Sequence, residues 1–285
     1  MKLAKLLNDM GESRVAIIDD GYAIPLDMKR NARVSTLADI LHSPDPEKLA
    51  KSLIVAGITH SSVNTAHFLP PVDRQEIWAA GVTYKRSKVA REEESAGAAQ
   101  FYDKVYSAPR PELFFKATPE RVVSPGEPIR VRSDSKWNVP EPELTLVISP
   151  DLRIVGYTVG NDVSSRDIEG ENPLYLPQAK VYHGSCAIGP VVTLAGSMPK
   201  LAECEIRLII HRKKQVVFDG STSIGQMNRT PEELVEWLGK DNRFPHGVML
   251  MTGTGIVPPD AFSLGTGDVV DISISGIGTL TNPVG

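Results

Sequence analysis

The chain is nearly devoid of cysteine, with Cys186 and Cys204 its only thiols in 285 residues. Neither belongs to a paired ligand motif, so neither a disulfide framework nor a thiolate metal site organises the fold. Long apolar runs are also missing, and none approaches the roughly 20 residues that a spanning helix requires. The opening Met1-Lys2-Leu3-Ala4-Lys5 meets charge too early for the apolar region of a secretion signal. A cytoplasmic address without membrane contact is therefore expected. The net charge is -4 with no long lysine or arginine block, which argues against a nucleic-acid partner, since such binding rests on clustered cations. No Gly-x-Gly-x-x-Gly fingerprint precedes a helix and the histidines show no His-x-x-x-His spacing, which removes support for dinucleotide binding and metalloprotease chemistry. The partner left by these exclusions is a small molecule.

What is present is an ordinary globular composition, 41% hydrophobic and 23% charged, enough to bury a sizeable core. Residues 1–71 carry short apolar runs and a helix expected over residues 46–56. They read as a small N-terminal α/β domain ending at Leu69-Pro70-Pro71-Val72-Asp73, where consecutive prolines continue neither a helix nor a central strand. Residues 72–285 form the larger unit. After a polar helical stretch over residues 85–97, β-branched runs recur at 144–148, 154–159, 187–194, 204–210, 215–218 and 269–274, separated by glycine and proline. One late helix begins at Thr230-Pro231-Glu232-Glu233, with a capping threonine and proline at the first helical position, and ends near Gly239. The expected class is mainly β with α, that is α+β.

The chemistry is concentrated in a few segments. Read as a strand, residues 141–148 put Glu141, Glu143 and Thr145 on one face and Pro142, Leu144, Leu146 and Ile148 on the other. Carboxylates two residues apart on a strand have α-carbons roughly 6.5 to 7 Å apart, close enough to converge on one hard cation. A solvated edge strand carrying two acids fits that motif equally well. A second segment, Gly160-Asn161-Asp162-Val163-Ser164-Ser165-Arg166-Asp167, runs from an apolar strand into a dense polar cluster. A third, residues 172–180, reads as a loop restrained by Pro173 and Pro177 that delivers Lys180, with a solvated turn as the alternative.

In this order the segments resemble the fumarylacetoacetate hydrolase superfamily, over approximately residues 72–283. The resemblance implies a fumarylacetoacetate hydrolase-like catalytic β-fold, with Glu141, Glu143 and Asp162 as metal ligands and Lys180 in contact with substrate. It also implies that Thr252-Gly253-Thr254 line the pocket. One departure matters: hydrolases of this superfamily carry an Asn-Tyr-x-x-His-x-x-Glu stretch, whereas Thr83-Tyr84-Lys85-Arg86-Ser87-Lys88-Val89-Ala90 has Ser87 and Ala90 at the histidine and glutamate positions. The pair that would activate water is absent. The 2-keto-3-deoxy-D-arabinonate dehydratases within the superfamily also lack it. They are similar over nearly the whole chain, through Arg110-Pro111-Glu112-Leu113-Phe114-Phe115-Lys116, Pro140-Glu141-Pro142-Glu143 and Glu171-Asn172-Pro173-Leu174-Tyr175-Leu176-Pro177-Gln178.

That likeness implies a Mg²⁺-dependent dehydratase, with Mn²⁺ a possible substitute, forming 2,5-dioxopentanoate from a 2-oxo sugar acid, and a homodimer or homotetramer. A hydratase, decarboxylase or acylpyruvate-type hydrolase on a related 2-oxo acid is the alternative within the fold; a metal-dependent 2-oxo acid binding module is the non-enzymatic one. Lys180 is expected to bind substrate and stabilise developing charge. Glu112, between a proline and an apolar run, is the candidate for proton transfer, because apolar surroundings raise a carboxyl pKa toward neutrality. Tyr84 and Arg86 are candidates for binding the sugar hydroxyls or carboxylate by their donor chemistry. His183, three residues after Lys180, is the one histidine placed near this group.

Overall fold

The computed structural model describes residues 1–55, 57, 60–85 and 106–285. Its centre is a large, mostly antiparallel sheet. In chain order the main strands are β1 (Lys2–Leu7), β2 (Ser13–Asp19), β3 (Tyr22–Pro25), β4 (Glu76–Gly81), β5 (Glu112–Ala117), β6 (Pro142–Ile148), β7 (Ile154–Asp162) and β8 (Cys186–Leu194). They are followed by β9 (Glu205–Arg212), β10 (Gln215–Ser223), β11 (Val248–Met251), β12 (Val269–Ile274) and β13 (Gly278–Pro283). Across the large sheet the order is β3, β2, β1, β8, β7, β6, β11, β4, β5, while β10, β9, β12 and β13 form a second, antiparallel sheet. The β11–β4 contact is parallel. The first residues therefore extend the same sheet as the later ones, through β1 against β8.

The central strand β6 is buried along its whole length, and its alternation sorts the two faces. Leu144, Leu146 and Ile148 pack with Ile206, Leu208, Ile210, Ile272 and Ile274 of the second sheet. Val147 lies on the other side, in a cluster with Met249, Met251, Leu37 and Ile40. That second cluster is covered by α1 (Leu37–Leu41), where Thr36 and Asp39 form a reciprocal capping box, and by α2 (Pro46–Ser52), capped by Asp45 with proline in its first turn. The helix expected to reach residue 56 thus ends at Ser52.

Further helices among the described residues include α3 (Arg166–Glu171), α4 (Leu176–Lys180) and α5 (Pro231–Leu238). The α5 start is as expected: the Thr230 side chain accepts from the Glu233 N–H and Pro231 lies in the first turn. The segment read as a loop over residues 172–180 is instead a 3-10 turn (Pro173–Tyr175) running into α4, with Lys180 as the last helical residue. Both prolines sit in first turns, where a missing N–H costs nothing, so residues that looked like breakers are starters. The polar helical stretch expected over residues 85–97 lies, from residue 86 onward, outside the described residues. Among the described residues no helix is long and apolar enough to cross a membrane.

Candidate active site

The β6–β7 register brings the acidic segments together. Glu143 stands opposite Gly160, and the Asp162 N–H donates to the Glu141 carbonyl at 3.0 Å, which fixes the two strand ends side by side. Gly160 is required by this packing, because a Cβ there would lie 2.3 Å from the Thr145 hydroxyl oxygen. One carboxylate oxygen each from Glu141, Glu143 and Asp162 then lies within 4.8 Å of the others, and all three residues are buried. The solvated edge-strand alternative is thereby overturned: Glu143 is 1% exposed.

Three buried cations surround this trio. Arg166, the first residue of α3, donates from Nη2 to Glu141 Oε1 at 2.7 Å. Lys180 Nζ donates to Glu141 Oε2 at 2.6 Å, to Asp162 Oδ2 at 3.1 Å and to the Ser164 hydroxyl at 2.6 Å. Lys116 on β5 pairs through Nζ with Asp162 Oδ1 and donates to the Val163 and Lys180 carbonyls at 3.2 and 2.5 Å. Glu143 receives the Gly253 N–H at 2.6 Å on Oε2. Its carboxyl is nonetheless held well above the usual range, first by burial and then by the charges of Asp162 and Glu141, against which Lys180 and the Gly253 N–H work in the opposite direction. Hard oxygen donors, mutual closeness and a Glu143 carboxyl whose ionisation burial and neighbouring carboxylates oppose are the properties of a divalent-cation site, and these residues fit one.

The cleft over this cluster is lined by Gly81, Glu112, Phe114, Glu141, Glu143, Asp162, Glu169, Lys180, Gly253 and Thr254 among others. Glu112 opens β5 opposite Gly81, and its carboxylate lies so close over that glycine that a Cβ there would sit 2.0 Å from Oε2. Thr252 is buried behind the lining, its hydroxyl donating to the Leu144 carbonyl at 2.9 Å. Gly253 turns with φ +89°, against the Thr83 side chain, so only a residue without Cβ lets its N–H reach Glu143. Tyr84 is buried, with its phenol pushed up by burial and by the nearby Glu143 charge. Arg86 lies outside the described residues, and His183 is exposed.

Lys116 and Glu169 were not singled out by sequence reasoning. For Lys116 a signal existed: strand periodicity puts it on the face of β5 shared by Glu112 and Phe114, and a lysine inside an apolar run is seldom buried unless paired. For Glu169, one turn into α3, no comparable signal was available. Larger cavities occur elsewhere, such as one of about 570 Å³ bounded by Lys5, Arg14, Asp27 and Lys29, but among the described residues its lining gathers no convergent buried carboxylates.

Residues 76–285 match the family described as fumarylacetoacetate (FAA) hydrolase C-terminal. The chain is 46% identical over 279 residues to a probable 2-keto-3-deoxyxylonate dehydratase of Haloferax volcanii, covering 96% of each chain. It is 40% identical over 294 residues to 2-dehydro-3-deoxy-D-arabinonate dehydratase of Saccharolobus solfataricus, covering 100% of this chain and 96% of the relative. Among solved structures, 2-keto-3-deoxy-D-arabinonate dehydratase complexed with magnesium and 2,5-dioxopentanoate superposes with a TM-score of 0.85 at 40% identity, covering 100% of this chain and 98% of that one.

Proposed function

The chain belongs to the fumarylacetoacetate hydrolase family, and within it we propose that it is a magnesium-dependent dehydratase converting 2-keto-3-deoxy-D-arabinonate to 2,5-dioxopentanoate. The observation that carries this reading is the buried Glu141, Glu143 and Asp162 cluster in a chain similar over its full length to two such dehydratases. The two relatives' names do not conflict. A 2-keto-3-deoxy acid made from a pentose keeps one stereocentre, C4, so within one series the xylonate and arabinonate derivatives are the same compound.

Glu141, Glu143 and Asp162 would hold the metal. When bound, magnesium supplies Lewis-acid stabilisation of the enolate that forms at the C2 ketone when C3 is deprotonated. Glu112, over the cleft, takes the C3 proton. Lys180 binds the substrate oxygens as an ammonium and offsets the charge that builds as the C4 hydroxyl departs. Thr254 and the Gly253 backbone line the wall against which the acid lies, and Tyr84 and Arg86 belong to the same substrate-binding set. The balance is loss of one water, the proton from C3 and the hydroxyl from C4. The double bond then shifts toward C5 by loss of one C5 proton and gain of one at C3, and the resulting enol loses its O–H proton and gains one at C4, which turns the C5 alcohol into the aldehyde. A cytoplasmic site of action and the division at residues 71 and 72 are part of the same proposal. So is a homodimer or homotetramer, supported by exposed Val216 and Val217 on the edge strand β10.

Proton NMR of the purified protein with 2-keto-3-deoxy-D-arabinonate tests the reading. Aldehyde signals of 2,5-dioxopentanoate are expected with added Mg²⁺ and not after chelation. No turnover with metal present would overturn it.

A further inference from the structure

The three carboxylates differ from an ordinary acidic cluster in how their second oxygens are used. Glu141 gives Oε1 to Arg166, Glu143 gives Oε2 to the Gly253 N–H, and Asp162 gives Oδ1 to Lys116. Each residue keeps one oxygen for the site, and for Glu141 and Asp162 that is the oxygen met by Lys180. Lys116 is held from three directions: its ammonium forms an ion pair with Asp162 Oδ1 and donates to the carbonyls of Val163 and Lys180, so it acts as a fixed positioning cation.

We propose that these clamps, and Lys116 above all, set which cation the site accepts, by restricting the carboxylates to one oxygen each. This rests on the metal-site reading above and extends it. Calcium takes six to eight oxygens at flexible distances and is commonly held by carboxylates using both oxygens; magnesium requires near-octahedral geometry and keeps several waters. A site of unrestrained carboxylates favours calcium, because calcium sheds water more readily. Three single-oxygen donors held rigidly remove that advantage and leave octahedral positions for water or a chelating 2-oxo acid. The Lys116 ammonium also grips the carbonyl at the end of α4, so the same group holds Asp162 and the helix end that presents Lys180 in one register.

Titration calorimetry of the intact protein with Mg²⁺ and with Ca²⁺ tests this for wild type, Lys116→Met and Lys116→Arg. Wild type is expected to bind Mg²⁺ at least as tightly as Ca²⁺. In Lys116→Met the Mg²⁺-to-Ca²⁺ affinity ratio should fall about tenfold or more, within the range seen when groups supporting metal ligands are removed. The ratio is the right readout, because deleting a buried cation favours both divalent ions alike on charge grounds, whereas only geometry separates them. Lys116→Arg, which keeps a donor to Asp162, should return the ratio toward wild type. A ratio unchanged within twofold in folded Lys116→Met overturns the inference while leaving the metal site standing. So does a wild-type protein that binds Ca²⁺ tenfold tighter than Mg²⁺, which needs no variant to fold. Failure of wild type to bind either ion overturns the metal-site reading itself and this inference with it.

Discussion

Replacing Glu143 by glutamine should stabilise the metal-free protein while removing its response to magnesium. The ligand-capable oxygens of Glu141, Glu143 and Asp162 lie within 4.8 Å of one another, and at that distance a pair of like charges costs about 3.5 kcal/mol at an effective dielectric constant near 20. Glu143 faces two such pairs and one opposing ammonium, Lys180, so a net penalty of roughly one pair, about 3 kcal/mol, remains when it is ionised. Protonation limits that penalty, and the sign with pH follows from it. The folded carboxyl is held well above its usual value by burial and by the Asp162 and Glu141 charges. The unfolded one titrates near about 4.3. Between the two values the folded state keeps a proton that the unfolded state has lost, so wild-type stability falls as pH rises through that window. The Glu143→Gln variant has no such loss, and its amide oxygen can still accept the Gly253 N–H. Its melting temperature in the presence of a chelator should therefore exceed wild type by about 3 to 6 °C at pH 8, from about 2 °C per kcal/mol for a chain of this size. The gap should shrink toward pH 5, and added Mg²⁺ should raise the wild type only. Scanning calorimetry reads all three effects; a variant melting below wild type at pH 8 without metal refutes the charge argument.

Because Glu143 must release its proton to serve as a ligand, Mg²⁺ affinity should rise with pH by up to about one decade per unit below the folded pKa. Calorimetry in two buffers of different ionisation enthalpy would reveal the released proton, and a pH-independent affinity without release would count against it. Lys180→Met should lower turnover by about a thousandfold or more, on the scale of losing a charge-stabilising group. Mg²⁺ binding should survive, since Lys180 contacts the same oxygens as a competing cation; a preserved rate would remove its assigned role. Gly253→Ala forces a Cβ to 2.1 Å from the Thr83 hydroxyl oxygen at φ +89° and should cost about 2 to 4 kcal/mol of stability, read by urea unfolding. A change below 0.5 kcal/mol would mean that the loop does not need its glycine.

The buried acidic trio was legible as a cluster because its residues follow strand periodicity and a specific order of motifs, and the local rule of alternation survives folding. Burial of β6 on both faces was only half legible. The apolar side announces itself, but the acidic side resembles a wet edge until β7, Arg166, Lys180 and the Gly253 N–H are in place. Short helices were the weak point: α4 has five residues, less than two turns, and its start carries proline, so propensity reads it as a loop. Strand periodicity puts Lys116 on the Glu112 face of β5 and says nothing of what it meets there. Its role depends on residues 46 and 64 positions away, Asp162 and Lys180, and no local pattern carries that.

The choice of dehydration over hydrolysis follows from which titratable groups the cleft contains. Stabilising an enolate beside a carboxylate is common to both reactions, so the trio of acids does not discriminate. Hydrolysis additionally needs a base that activates water, and the sequence puts Ser87 and Ala90 where an imidazole and its partner would stand. Among the described residues the lining of the cleft includes no histidine; beyond the trio its ionisable groups are Glu112, Glu169 and Lys180. A carboxylate can serve as base toward a C3 proton already acidified by an adjacent, polarised ketone. Once that proton is gone, a hydroxyl at C4 is positioned to leave, and a nearby ammonium lowers the cost of its departure. The same fold thus turns from cutting a carbon-carbon bond to expelling water by exchanging one titratable pair.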